Sequence, residues 1–177
     1  MSGGLERRDP SLIKVFGFIG ALSFILEGLL LPVSIAAHIL LLLAFRWASS
    51  YFGKISIFRK AFVWFITAVA GSIAIAATLK LTLLSLYLGG RMELWVGILW
   101  AASALPFWLL VAEMSRISKI GLFTYSGYTY AAGATAMALG AFLMPLYEAL
   151  GTALIKISIF PIVYSFLLLG LALWKID

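Results

Sequence analysis

The fold is decided by residues 46–60, RWASSYFGKISIFRK, the longest polar interruption between two strongly apolar runs. The stretch contains four cations and no acid. Cations in short loops between membrane-spanning helices favour the cytoplasmic side of the membrane. This interruption therefore predicts the orientation of the helices on either side of it, and the remaining loops follow by alternation.

The composition predicts a protein surrounded mainly by lipid. The 177 residues are 64% hydrophobic and 11% charged, whereas a soluble domain carries about 25% charged residues. Apolar runs of roughly 17 residues or more recur along the chain, and each is long enough to cross a hydrocarbon core about 30 Å thick. The fold class predicted is all-α, a polytopic membrane helix bundle in the cell membrane.

The pattern of apolar runs and breaks predicts a short cytoplasmic N-terminal segment, residues 1–10, and a single transmembrane domain, residues 11–177. Prolines and glycines between the runs mark the helix ends. The predicted helices are 11–28, 32–48, 57–88, 92–115, 122–147 and 151–174.

Six helices place both termini on one side of the membrane, and the charges indicate which side. Ten of the 13 cations fall on the side of the termini, which predicts that both termini are cytoplasmic. The other three are Lys80, Arg91 and Lys156. The net charge of +6 is explained by this topology, so nucleic acid is not expected as a partner.

Three residue types are absent: Cys, Asn and Gln. Without Cys the chain has neither a disulfide nor a thiolate site for metal or catalysis. Depletion of thermolabile residues is typical of hyperthermophiles and predicts a thermophilic source, although apolar chains use few amides in any case.

Three segments around the first polar interruption form a recognisable pattern: the apolar segment 40–45, then Ser-Ser-Tyr-Phe-Gly at 49–53 and Ile-Phe-Arg-Lys-Ala at 57–61. In these features the sequence resembles a family of archaeal multi-pass membrane proteins of unknown function (domain of unknown function, number 996 of that series). Residues 109–123 are similar to a later polar loop of the family. The resemblance implies an archaeal membrane protein, and it brings no catalytic residues.

Five ionisable side chains fall in the outer half of the predicted membrane segments, where charges are costly and mark functional sites. One hypothesis is that they converge on a polar pocket or a proton-accepting chain. The alternative is that the four near helix ends extend to the membrane surface. The five are Glu27, His38, Lys80, Glu148 and Lys156.

His38 is the only histidine. It can titrate, bind a metal or haem shared with a partner, or simply pack with a hydrogen bond. Two-histidine haem ligation within this chain is excluded, and no cofactor is predicted. At the inner end, Glu113 and Arg116 are three residues apart, a spacing at which the two side chains can form a weak pair.

Small residues four apart predict close helix packing on two helices. A similar basic loop precedes each set, at 49–58 and 115–123. The similarity suggests a duplicated hairpin, although basic loops and small residues are also common in membrane helices. The predicted packing ridges are Ala68, Ser72 and Ala76, and Ala132, Ala136 and Gly140.

No catalytic motif is present, neither a phosphate-binding Gly-Lys-Ser/Thr loop nor His-Glu-x-x-His. An enzyme is therefore not expected. The first hypothesis is an accessory or scaffold subunit of a larger archaeal membrane complex, of which a respiratory complex is one example. The alternative is a small oligomeric transporter or channel for an ion or small solute, suggested by the proline-interrupted helices. The expected partners are membrane lipid and either other membrane subunits or further copies of the chain.

Overall fold

A computed structural model describes residues 9–24, 31–78 and 92–177, and for 31–34, 75–78, 92–94 and 96 it describes the backbone alone. The described residues form six helices. All regular structure in these ranges is helical, which confirms the all-α class. The helices are α1 Ser11–Ser23, α2 Leu31–Tyr51, α3 Ile55–Thr78, α4 Met92–Ser118, α5 Leu122–Leu143 and α6 Glu148–Trp174.

The helices form a closed ring. Each helix packs against its neighbours in the chain, and α6 packs back against α1. Successive helices run in opposite directions, because their contacts pair residues in reverse order. On α3 and α4, for example, Ser56 contacts Glu113 and Gly71 contacts Trp100. Every helix consequently has one side facing the centre of the ring and one side facing outwards.

Both ends of the described chain lie at the same end of the ring. The Lys14 ammonium lies 3.5 Å from an Asp177 carboxylate oxygen, and the Tyr51 hydroxyl donates to the backbone oxygen of Asp177 at 2.6 Å. The start of α1, the end of α6 and the α2–α3 connection therefore meet. This end also holds the α4–α5 connection, and we call it the basic end.

Two three-residue connections close the basic end, 52–54 and 119–121. Each contains one residue in the left-handed region, Gly53 at φ 64° and Lys119 at φ 59°. Glycine adopts this conformation without steric cost, whereas a lysine in it is strained. The Ser49 hydroxyl stabilises the first connection by donating to the Lys54 carbonyl at 2.9 Å.

Some helix ends differ from the predicted ones because a glycine or a proline, and not the change in hydropathy, sets where the helix stops. The helix α2 continues to Tyr51 because Gly53, and not the polar run before it, ends the helix. The helix α5 ends at Leu143, before the predicted 147, since Pro145 has no backbone N–H with which to continue the helical hydrogen bonds. The predicted end of helix 1 and the far end of helix 3, including a break near Lys80, lie outside the described residues.

Among the residues that the structure describes, three segments are long and apolar enough to cross a membrane, fewer than the six predicted: Ile55–Ala74, Gly97–Ser118 and Glu148–Trp174. The segments Ser11–Ser23 and Ile35–Tyr51 are apolar but shorter. Tyrosine and threonine residues in the first half of α5 lower the hydropathy of that helix. The structure thus supports membrane-crossing helices without fixing their number at six.

Candidate functional site

A buried carboxylate lies at the basic end, between α3 and α4. Glu113 on α4 is 6% exposed. One of its oxygens accepts a hydrogen bond from the Ser56 hydroxyl and the other from the Lys60 ammonium, each at 2.5 Å. Ser56 and Lys60 are four residues apart on α3 and so share a face. We call Ser56, Lys60 and Glu113 the ionic triad.

The ionic triad takes the place of the Glu113–Arg116 pair that the spacing of three allows. Arg116 is exposed, and it acts on Glu113 only through its charge. The carboxylate instead turns inwards to α3, where Lys60 neutralises it. The serine–lysine spacing of four at the start of α3 was visible in the sequence, but nothing there indicated that α4 would face it.

The electrostatics of the ionic triad are asymmetric. The Lys60 side chain is 34% exposed, so its ammonium reaches both Glu113 and water. Glu113 has no comparable access to water. The lysine consequently stabilises a buried charge that would otherwise be costly. The arrangement is suited to joining two helices at the membrane surface.

An aromatic core fills the centre of the ring. Each helix contributes one ring, with Phe24 lying directly after α1, and all six residues are at most 2% exposed. The stacked phenyl rings of Phe24 and Phe166 have centroids 3.7 Å apart. The six residues are Phe24, His38, Trp64, Phe107, Tyr130 and Phe166.

A chain of hydrogen bonds runs through the aromatic core. The Trp64 indole donates to the Tyr130 hydroxyl at 3.2 Å, and that hydroxyl lies 2.9 Å from the Ser103 hydroxyl. Ser103 donates its own proton to the Trp100 carbonyl at 2.8 Å. Tyr130 is therefore the donor to Ser103, because a hydroxyl has only one proton to give. The chain fixes the rotation of α3, α4 and α5 relative to one another.

One polar group in this region has no hydrogen-bond partner among the residues that the structure describes. It is the indole nitrogen of Trp100, a residue that is 5% exposed. The nitrogen lies against Gly71, where an added Cβ would be 3.1 Å away. The glycine allows the indole edge to approach α3 closely.

The structure places His38 inside the aromatic core. Its ring meets the Phe24 ring edge-on at a centroid distance of 4.5 Å and lies 5.4 Å from the Trp64 ring. The imidazole is thus surrounded by aromatic side chains from α1 and α3. This position agrees with the packing hypothesis for His38.

The two other members of the predicted polar cluster that the structure describes do not join His38. Glu148 and Lys156 are exposed on the outward side of α6. Glu27 and Lys80 lie outside the described residues. No group of three His, Asp or Glu side chains suited to a metal is found in 9–24, 31–78 and 92–177.

The predicted packing ridges are placed unevenly. Ala68 and Ser72 on α3 are buried, and the side chain of Ala76 is not described. On α5, Gly140 is buried, but Ala132 is exposed and Ala136 is half-buried. On α5 the spacing of four therefore did not indicate the packed face. The close-packed face of α5 is rotated away from Ala132.

Glycines form that close-packed face of α5 against α6. A Cβ added to Gly133 would lie 2.5 Å from a side-chain carbon of Ile162, and one added to Gly140 would lie 2.8 Å from the Gly151 carbonyl. Distances this short exclude a larger residue without movement of the backbone. Dispersion between closely approaching backbones therefore stabilises the α5–α6 pair.

No protein-family model, curated protein or solved structure matches the chain. The resemblance to an archaeal membrane family consequently stays a prediction.

Proposed function

We propose that this chain is an integral membrane protein with six membrane-crossing helices, both termini in the cytoplasm, and an accessory or scaffold role in a larger membrane complex. The membrane assignment is supported by the outer surface of the ring. Large apolar side chains are exposed on all six helices, with Phe160 at 76% and Leu105 at 63%. A water-soluble protein rarely exposes a continuous apolar surface of this extent.

The positions of the tryptophans agree with this placement. Trp47 and Trp174 are exposed near the basic end, and Trp95 is exposed near the opposite end. Tryptophan is enriched at both membrane surfaces because its ring is amphipathic. The exposed cations of the basic end favour the cytoplasm as its location.

The filled centre of the ring supports a structural role over transport. Each residue of the aromatic core is 8 to 13 residues along the chain from the basic end of its helix. The shortest separations include Leu122 to Tyr130, and the longest include Ser11 to Phe24. At about 1.5 Å per residue this is roughly 12–20 Å, near the middle of a bilayer. A solute path through the ring would have to displace these rings. This observation carries the proposal.

The experiment is purification of the tagged protein from its native membranes in a mild detergent, after brief cross-linking. We expect it to migrate with other membrane proteins in fixed proportion, and we expect a harsh detergent to separate them. Migration as a monomer or as a homo-oligomer would contradict the accessory role.

A flux assay in proteoliposomes tests the transport alternative separately. The informative variant is Phe107→Ala, which removes a ring from the aromatic core. We expect no solute flux with the wild-type protein. Flux in the wild type that increases in this variant would show that the ring encloses a path.

A further inference from the structure

Three cations are found at the basic end of two adjacent helices. Arg59 and Lys60 are consecutive on α3, and Lys60 is bonded to Glu113, three residues from Arg116 on α4. Arg59 and Arg116 are both exposed. We call Arg59, Lys60 and Arg116 the basic clamp.

The basic clamp has more hydrogen-bond donors than the described residues satisfy. Glu113 is the carboxylate beside it, and both of its oxygens already accept hydrogen bonds within the ionic triad. Neither guanidinium forms a hydrogen bond or ion pair with any residue that the structure describes. Three cations beside one acid leave a net positive site with open donors. Such a site is complementary to a phosphate group, which guanidinium groups bind with two parallel hydrogen bonds.

An apolar stripe extends from each arginine along the outer surface. On α3, the residues three, four and seven positions after Arg59 are apolar and exposed. On α4, the residues four, seven and eleven positions before Arg116 are likewise apolar and exposed. These spacings put each stripe on the same helix face as its arginine. The stripes are Phe62, Val63 and Ile66 on α3, and Ala112, Leu109 and Leu105 on α4.

We propose that the basic clamp binds the phosphate of an anionic membrane lipid, whose acyl chains lie along the two apolar stripes. The basic clamp matches the charged headgroup of such a lipid, and the apolar stripes match its acyl chains. The clamp lies at the membrane surface and the stripes lie deeper, as the two parts of a lipid do. A free phosphate compound would match the cations but would leave the stripes unused. The inference rests on membrane insertion and is independent of the accessory role.

Lipid binding by the purified protein tests the proposal. The delipidated protein in a neutral detergent is titrated with dioctanoyl phosphatidylglycerol, dioctanoyl phosphatidylcholine or glycerol phosphate. Native mass spectrometry reports the bound lipid, and the change in Tm reports stabilisation. The test variant carries both Arg59→Gln and Arg116→Gln. The matched control carries Lys54→Gln and Lys175→Gln, and it removes the same amount of charge from exposed sites at the basic end.

We expect phosphatidylglycerol to bind the wild type and to raise its Tm, and the other two compounds to do neither. At about fivefold per cation near an anionic surface, the arginine variant should bind phosphatidylglycerol roughly 25-fold more weakly. The lysine control should bind within about twofold of the wild type, because its charges lie away from the basic clamp. Equal weakening in both double variants, equal binding of phosphatidylcholine, or equal stabilisation by glycerol phosphate would overturn the proposal.

Discussion

Breaking the ionic triad from its two sides should have unequal effects on stability. In Lys60→Met the Glu113 carboxylate keeps its charge at 6% exposure and loses its cation. Removing one partner of a buried pair costs about 3–5 kcal/mol. Because Lys60 is partly exposed, some of its attraction is already screened by solvent, and we expect a loss of about 3 kcal/mol in the free energy of unfolding.

The reverse substitution should be milder. In Glu113→Gln the Lys60 ammonium loses its counterion, but its 34% exposure allows it to turn towards water. The amide still accepts one hydrogen bond, so we expect a loss of about 1 kcal/mol. Combining both changes removes the uncompensated carboxylate, and the double variant should be more stable than Lys60→Met alone.

The assay is unfolding of the purified protein in detergent, by heat or by added dodecyl sulfate, followed by tryptophan fluorescence. Lys54→Met is the control, since the Lys54 side chain is exposed in the 52–54 connection. We expect it to leave stability unchanged. Equal losses from Lys60→Met and Glu113→Gln, adding in the double variant, would refute the reasoning.

Two further substitutions, each with a control, test the packing of α5 against α6 and the hydrogen-bond chain of the aromatic core. Gly133→Ala should lower the unfolding free energy by about 1–3 kcal/mol, because its Cβ would lie 2.5 Å from Ile162. Gly121→Ala, where an added Cβ meets nothing within 4 Å, should be neutral; equal effects at both positions in thermal unfolding would contradict this. Tyr130→Phe should cost about 1–3 kcal/mol because it leaves the buried indole of α3 without its acceptor. The exposed Tyr128→Phe should cost nothing measurable, and an unchanged Tm in both tyrosine variants would show that the hydrogen-bond chain contributes little.

The sequence predicted the helices better than it predicted their contacts. Hydropathy and breaks such as Gly53 and Pro145 gave six helices in the observed order, since these are local properties of the chain. The shared end of α1's start and the C-terminus also followed, because an even number of helices requires it. The crossing of the membrane by all six helices stays a prediction.

The ionic triad could not be predicted because it depends on how α3 and α4 are rotated. In a chain that is 64% hydrophobic, apolar residues surround each helix, and their periodicity does not indicate which face turns inwards. The same lack of pattern explains why Ala132 was assigned to a packed face. Glycine spacing at Gly133 and Gly140 would have been the better signal, since only glycine allows the closest approach of two backbones.

Cysteine accessibility in intact cells tests the central claim, that six helices cross the membrane with the basic end in the cytoplasm. The chain contains no cysteine, so single substitutions Lys54→Cys, Tyr147→Cys and Lys175→Cys report one position each. All three residues are exposed in the structure. An impermeant maleimide applied from outside should label only the cysteine at position 147, and the other two should react after the cells are opened. Labelling of positions 54 and 175 but not 147 from outside would reverse the orientation. Labelling of position 175 but not 54 from outside would show that an odd number of helices crosses the membrane between these two positions.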